Sequence, residues 1–397
     1  MTNLNRRNFL KSSIIGAGGA VLTKPAFSAS NPGKAKGGII TRKLGKTGLE
    51  IPVVSMGVMR ADNPRLVKSA LDNGIVLFDT ANGYQNGMNE EMLGQVFKDY
   101  PRDKFLLQTK VSPGDRDRGT GELGAGATKE VFLEKFETSM GRLQLDYVDI
   151  LLHHGASSRQ AVLHEPVLKA LQQIKKEGRT KFIGVSTHTR EPEVIRAAIE
   201  TGIIDVILVA YNFKHDLWEE ISSAMADASM AGIGFIGMKN LAGGYLDKEK
   251  TKPVDAKAAL KWALQDPHLT TCIPGFRTFE ELDVDLEVMR DIELTPDEIN
   301  GLEIAGTEMG MFCQGCVQCL GQCKKSLPVP DIMRSFMYTY GYGETMKARE
   351  TLDECRVQAD PCTGCPECTV ICAKGFPVAE RISDVSRIKN IPLDFLT

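Results

Sequence analysis

A chain of 397 residues is too long for one small core and suits a large domain with an accessory one. Its 42% hydrophobic and 25% charged residues are ordinary for a soluble globular protein. The net charge of −3 becomes −7 once the four cations of residues 1–30 (Arg6, Arg7, Lys11, Lys24) are set aside, so nothing draws the chain generally to nucleic acid or an anionic membrane.

The first 29 residues read as a leader rather than as part of the fold. Arg6-Arg7-Asn8-Phe9-Leu10-Lys11 is followed by a modestly apolar stretch from Ser12 to Leu22 and by Ala26-Phe27-Ser28-Ala29, the three-part pattern of a signal peptide. The paired arginines resemble the twin-arginine signal, which implies export to the periplasm. Residues 30–38, rich in Gly, Lys and Pro, read as a linker. No later segment has the uninterrupted apolar length of a membrane span.

From Ile39 onward short apolar runs alternate with amphipathic helical patterns. Val53–Gly57 and the helix Pro64–Asn73 come first, then Leu77–Asp79 with Asn89–Tyr100. Phe105–Lys110 leads through a Gly- and Asp-rich loop, 112–127, to a helix beginning at Thr128, an N-cap without a capping box. Val148–His153 precedes a helix over Val162–Glu177, and Phe182–Ser186, Val206–Ala210, Phe235–Met238 and Thr271–Ile273 each precede one more helix. Eight strand-then-helix units in roughly 250 residues predict an α/β fold of the closed (β/α)8 TIM-barrel type over residues 39–305. An open doubly wound sheet would place a Gly-rich phosphate loop after its first strand, and Ser55-Met56-Gly57-Val58 is not one.

Three of the strands end on titratable groups. Leu77-Phe78-Asp79 runs into a turn carrying Tyr84, Phe105–Lys110 stops on lysine, and Val148–His154 stops on histidine. A tyrosine hydroxyl has an ordinary pKa near 10 and is too weak an acid for neutral pH unless its phenolate is stabilised. A neighbouring lysine cation held by Asp79 would do this, and His154 could orient a carbonyl oxygen. Together they suit protonation of an oxygen that gains negative charge as hydride reaches carbon.

At these positions the sequence resembles the aldo-keto reductase family. The resemblance rests on Leu44-Gly45-Lys46-Thr47-Gly48, Phe78-Asp79-Thr80-Ala81, Tyr84, Glu90 with Gly94, Thr109-Lys110, Asp149 through His154, Gly184-Val185-Ser186, Leu241-Ala242-Gly243-Gly244 and Ile273-Pro274-Gly275. It implies Tyr84 as general acid, with Asp79, Lys110 and His154 completing the set. It also implies an NADP or NAD site built from Ser186, Asn212, Met238, Lys239, Leu241, Gly243, Pro274, Gly275, Arg277 and Glu281. The cofactor positions depart from the family pattern. Thr187 and Leu208 stand where amide contacts to nicotinamide are usual, Met238 replaces an aromatic residue, and Glu281 replaces the arginine that grips a 2′-phosphate.

Near the C-terminus one cysteine spacing occurs twice, at Cys313, Cys316, Cys319, Cys323 and at Cys362, Cys365, Cys368, Cys372. Three thiolates at intervals of three can wrap three corners of a cubane. The pattern resembles the bacterial two-cluster ferredoxin motif. That resemblance implies two 4Fe–4S clusters, one on Cys313, Cys316, Cys319 and Cys372, the other on Cys362, Cys365, Cys368 and Cys323. Zinc and disulfides remain open alternatives. The spacer Pro330–Arg356 carries two helical patterns, so residues 306–397 are expected to be a small, mostly helical ferredoxin-like domain. The whole reads as an exported iron–sulfur oxidoreductase acting on a small carbonyl or alcohol and exchanging electrons with a redox partner protein. The alternative is an electron-transfer or ligand-binding protein whose barrel does not turn over.

Overall fold

The computed structural model describes residues 38–308 and 310–396; the leader and nearly all of the linker lie outside them. A short antiparallel hairpin, β1 (Thr41–Lys43) with β2 (Glu50–Pro52), precedes an eight-stranded parallel sheet. The sheet contains β3 (Met56–Gly57), β4 (Leu77–Asp79), β5 (Leu106–Val111), β6 (Val148–His153), β7 (Thr180–Thr187), β8 (Val206–Ala210), β9 (Gly234–Met238) and β10 (Leu269–Cys272) in chain order from one edge to the other. The two edges meet. Val54 bridges Cys272 in parallel, the Ser55 N–H donates to the Cys272 carbonyl at 2.8 Å, and the Cys272 N–H donates to Val53 at 3.0 Å. The strands thus close into the expected (β/α)8 barrel.

Two apolar layers follow from strand alternation. Leu77, Ile150, Leu152, Val206, Leu208 and Ile236 point inward and fill the barrel, while a larger cluster lies between strands and helices. The hairpin, which the sequence pattern does not reveal, plugs the bottom. Its Leu44 is fully buried against the inner layer, and the Lys46 N–H donates to the Gly232 carbonyl. Capping follows the sequence closely. The Thr128 hydroxyl accepts from the Val131 N–H, and Asp255 accepts from Ala258 ahead of the helix Ala256–Leu264. The helix expected over 162–177 is instead two, Arg159–Val162 and Glu165–Lys176. Pro166 at the start of the second favours a new N-terminus.

Beyond the helix Pro296–Thr307 the chain crosses the barrel mouth. The two helices expected in the spacer are Val329–Met337 and Thr345–Glu354, and a third, Val378–Ser386, follows. These helices share a separate apolar core that includes Phe312, Ile332, Phe336, Leu352 and Ile382. None of the helices of the described residues is long and apolar enough to cross a membrane.

Gly184 shows how little slack the barrel has, because a Cβ there would lie 1.9 Å from the Val206 carbonyl oxygen on the next strand. Gly184→Ala is expected to destabilise the barrel by about 3 kcal/mol or more, at the upper end of overpacking costs. Denaturant melts followed by circular dichroism would read this, and an unchanged midpoint would contradict the packing described.

Candidate active site and cysteine sites

Strand direction gathers the candidate groups. β4, β5 and β6 are parallel neighbours in register, with Asp79 opposite Gln108 and Lys110 opposite Leu152. Their C-terminal ends therefore open on one mouth. There the Lys110 ammonium donates to both oxygens of Asp79, at 2.8 and 2.7 Å, and to the Thr80 carbonyl. Gln108 donates a further hydrogen bond of 2.6 Å to Asp79. Both members of the pair are almost wholly buried. Burial moves both toward neutrality, Asp79 upward and Lys110 downward, and their mutual attraction opposes each shift.

Tyr84 lies over this pair. The Lys110 Nζ is 4.8 Å from its ring centroid, and the His154 ring meets it edge-on at 5.9 Å between centroids. All four groups line one cavity of about 350 Å³. The expectation that the lysine makes the phenol more acidic does not hold in this arrangement. Burial, then Asp79, then Tyr338 push the Tyr84 hydroxyl well above its usual range. The lysine's short hydrogen bonds go to Asp79 and Thr80, not to the phenol. His154 is held neutral, its pKa pushed well down by burial and then by the charges of Lys110, Lys347 and Arg116.

Of the ten residues expected at a nucleotide, Ser186, Met238, Lys239, Leu241, Gly243, Pro274, Gly275 and Glu281 line the same cavity. Asn212 and Arg277 do not. The Asn212 amide donates to the Lys239 carbonyl at 3.2 Å and to Gln314 Oε1 at 3.1 Å, so it is spent on seating the C-terminal region. Arg277 is exposed and faces Asp62 at 3.9 Å. Ser186 Oγ accepts from the Gly155 N–H at 2.9 Å. Thr187 is buried on the Thr189 carbonyl, and Leu208 belongs to the barrel interior. Glu281 closes a capping box on the helix Phe279–Val288, its Oε2 accepting from the Arg277 N–H at 2.6 Å. A carboxylate thus occupies donors that an anion at this helix start would need.

The C-terminal region completes the mouth with residues that strand-end reasoning could not supply. Tyr338 and Lys347 line the cavity beside Tyr84 and His154. Arg334 donates to the Thr189 hydroxyl at 2.8 Å, Gln314 to the Ala242 carbonyl at 3.2 Å, and Phe312 packs on Gly243, where a Cβ would lie 2.2 Å from its ring. His188, directly after β7, lines this cavity and a second, larger one, and its Nδ1 is buried with no hydrogen-bond partner among the described residues.

None of the eight motif cysteines forms a disulfide, and they fall into two groups. Burial and then thiol neighbours raise Cys313 to about 11 and Cys319 to about 12; the neighbours of this group are Cys316 and Cys372. Cys362 is raised by burial and by Cys368, Cys365 and Cys323. Each group thus crosses between the two motifs. The Gly315 N–H donates to Cys313 Sγ and the Lys374 N–H to Cys372 Sγ, both at 3.4 Å. Among the described residues no three His, Cys, Asp or Glu side chains reach the spacing of a single bound ion. A zinc at about 2.3 Å from each sulfur would draw the sulfurs within roughly 3.8 Å of one another. Both N–H donors belong to the group of Cys313, Cys316, Cys319 and Cys372.

A closed parallel barrel with a buried ion pair, a phenol and a neutral imidazole at the C-terminal ends of its strands is built as an enzyme that moves protons at a bound small molecule. The model described as "Aldo/keto reductase family" matches residues 54–258; the chain belongs to this family and is an NAD(P)-dependent oxidoreductase of its type. Over 288 residues it is 26% identical to "Probable aldo-keto reductase 1" of Glycine max, covering 61% of this chain and 82% of that one. It is likewise 26% identical to the L-galactose dehydrogenase of Arabidopsis thaliana, covering 64% and 88%. The solved aldo-keto reductase AKR11C1 of Bacillus halodurans superposes with a TM-score of 0.55 at 22% identity, covering 68% of this chain and 96% of that one, a likeness of fold. Each similarity leaves about a third of this chain unmatched.

His153, the neighbour of His154, gives a pH test of the site's interior. It is fully buried, and burial, Arg116 and His164 push it down to about 3. The folded chain therefore keeps it neutral, while the unfolded chain binds a proton below about 6.5. Its contribution is complete above that pH and falls by about 1.4 kcal/mol per unit as the medium acidifies. Between pH 7.5 and 5.5 the wild type is expected to lose about 1.4 kcal/mol more stability than His153→Leu. Equal losses in paired denaturant melts would show that His153 is not held neutral.

Proposed function

We propose that the barrel reduces a small carbonyl compound with Tyr84 as the proton donor, and that the C-terminal cysteines hold two 4Fe–4S clusters that exchange electrons with a partner protein. The observation that carries the first part is the convergence of Asp79, Lys110, Tyr84 and His154 on one cavity at the barrel mouth. When bound, a nicotinamide nucleotide supplies the hydride. The chain's own groups handle the proton. His154, neutral and edge-on to Tyr84, can donate a hydrogen bond that fixes the carbonyl oxygen. Tyr84 passes its hydroxyl proton to that oxygen as negative charge grows there, and Lys110 faces the phenolate left behind. A phenol held far above neutrality keeps its proton until the oxygen becomes strongly basic.

Glu281 supports NADH over NADPH. A 2′-phosphate at the start of the helix Phe279–Val288 would meet a carboxylate already bonded to the backbone. The two thiol groups, each drawn from both motifs, and the N–H donors to Cys313 and Cys372 support clusters, which exchange single electrons with the partner. The leader, outside the described residues, supports export to the periplasm by the twin-arginine route, which carries folded proteins with their clusters in place. A second reading, a binding or electron-transfer protein with a silent barrel, is favoured by the departures at the amide-binding positions Thr187 and Leu208 and by Asn212 being held by Gln314.

Tyr84→Phe is expected to lower kcat for an aldehyde by about 10²–10⁴ while fluorescence titration still shows saturable NADH binding. Undiminished turnover would remove Tyr84 from its role, and absence of binding to either nucleotide in the wild type would leave the second reading. Anaerobically purified protein, reduced with dithionite, is expected to give the EPR signals of 4Fe–4S clusters and about eight irons per chain. Zinc in their place, without an EPR signal, would end the cluster proposal.

A further inference from the structure

Beside the mouth cavity lies a larger one of about 940 Å³, between the loop 112–127 and the C-terminal helices. His154, His188, Tyr338 and Lys347 line both, so the two cavities adjoin along these four side chains. A substrate whose carbonyl rests against Tyr84 and His154 would extend the rest of its length into this space.

The larger space carries an uncompensated positive charge. Arg118 pairs with Glu354 and, at 3.6 Å, with Asp331; Arg334 pairs with Asp331 at 3.0 Å. Those two carboxylates thus serve two guanidiniums. A third, Arg116, lies among them, and no carboxylate pairs with it among the described residues. Its one hydrogen bond goes to the neutral Gly155 carbonyl. Burial, and then Arg118, bring its pKa down to about 10, so it is charged at neutral pH at a cost that a bound anion would offset. Among the described residues none of the other acidic groups lining the cavity, Asp115, Asp117, Glu122 and Asp353, pairs with Arg116. Asp115 accepts from the Gly126 N–H, Asp117 from those of Gly119 and Thr120, and Asp353 faces Arg349 and Lys389. Arg116 is also close enough to His154 and His188 for its charge to depress both, which places the free cation next to the reacting end of the cleft.

We propose that this cavity is an anion subsite, and that the substrate carries a carboxylate or phosphate received by Arg116 while its carbonyl lies at Tyr84. The proposal rests on the reductase reading for the carbonyl end only; the anion end stands on the unpaired guanidinium. A planar guanidinium offers paired N–H donors to two oxygens of one anionic group, so a charged arm gains both charge and orientation. A neutral arm would leave the cation as it is.

The test uses the full-length protein with its nucleotide. Turnover is compared for 4-formylbenzoate, 4-formylphenyl phosphate and neutral 4-methylbenzaldehyde. Binding of 4-(hydroxymethyl)benzoate and 4-methylbenzyl alcohol is measured by calorimetry. The wild type is expected to favour at least one anionic aldehyde over the neutral one by about tenfold or more in kcat/KM, and the anionic alcohol similarly in Kd. Whichever anionic aldehyde is preferred identifies the arm as carboxylate or phosphate. In Arg116→Gln the anionic-to-neutral ratio is expected to fall to within about twofold of unity, and Arg116→Lys to recover part of it. Parity in the wild type, or a ratio that survives Arg116→Gln, overturns the subsite. Carboxylate-selective binding without turnover of any aldehyde upholds the subsite and overturns the reductase reading instead.

Discussion

The buried ion pair between Asp79 and Lys110 is the constraint on which the mouth of this barrel depends. Two charges without water are held by four short contacts, two between them, one from Gln108 and one to the Thr80 carbonyl. Removing either partner would strand the other, a loss of about 3–5 kcal/mol, whereas an apolar pair of the same volume would fold as well or better. Stability alone does not explain such a pair. Its value is positional, because it fixes an ammonium 4.8 Å from the ring of Tyr84 on two neighbouring strands whose register cannot slip without turning every side chain to the other face.

The same economy explains the C-terminal region. A barrel mouth open to water would screen the charges it displays. The helices Val329–Met337 and Thr345–Glu354 cover it, bringing Tyr338 and Lys347 against the reacting groups. They are pinned by Arg334 on Thr189 and by Gln314, which occupies the amide of Asn212. Covering the mouth lowers the local dielectric, and that is why Tyr84 and His154 are both driven toward their neutral forms. The first cysteine loop is part of this seal, since a Cβ on Gly315 would lie 3.0 Å from the His188 carbonyl. The thiol group around Cys313 therefore adjoins the barrel site through His188, which lines both cavities, and through the contacts of Phe312 and Gln314.

Much of this was legible from residues whose signals are local. A short apolar run ending on Asp79, Lys110 or His154, followed by a turn, places that side chain at a strand end whatever the rest of the chain does. The cysteine spacing is equally local. What escaped reading depends on distant partners. The hairpin strands Thr41–Lys43 and Glu50–Pro52 are too short to carry a period and are defined by packing against Gly232 and Gly234. Tyr338 and Lys347 reach Tyr84 and His154 across more than 180 residues of sequence, and Arg116 comes from a loop with no strand pattern to announce it. The direction of Tyr84's shift was misjudged for the same reason, since the sequence shows the neighbouring lysine but not the enclosure that outweighs it.

Enclosure and charge together define what the cleft can accept. At its inner end neutral groups, a phenol and an imidazole, surround a buried pair whose charges satisfy each other, so an uncharged carbonyl meets no penalty there. Further out, Arg118 and Arg334 take up two carboxylates and Arg116 pairs with neither. A ligand that is neutral at one end and anionic at the other matches this gradient. The reverse orientation would bring its charge against Asp79 and a phenol already held protonated by burial and by that carboxylate. The polarity of the cleft thus does for orientation what the strand register does for the ion pair: it leaves one productive arrangement and makes its alternatives costly.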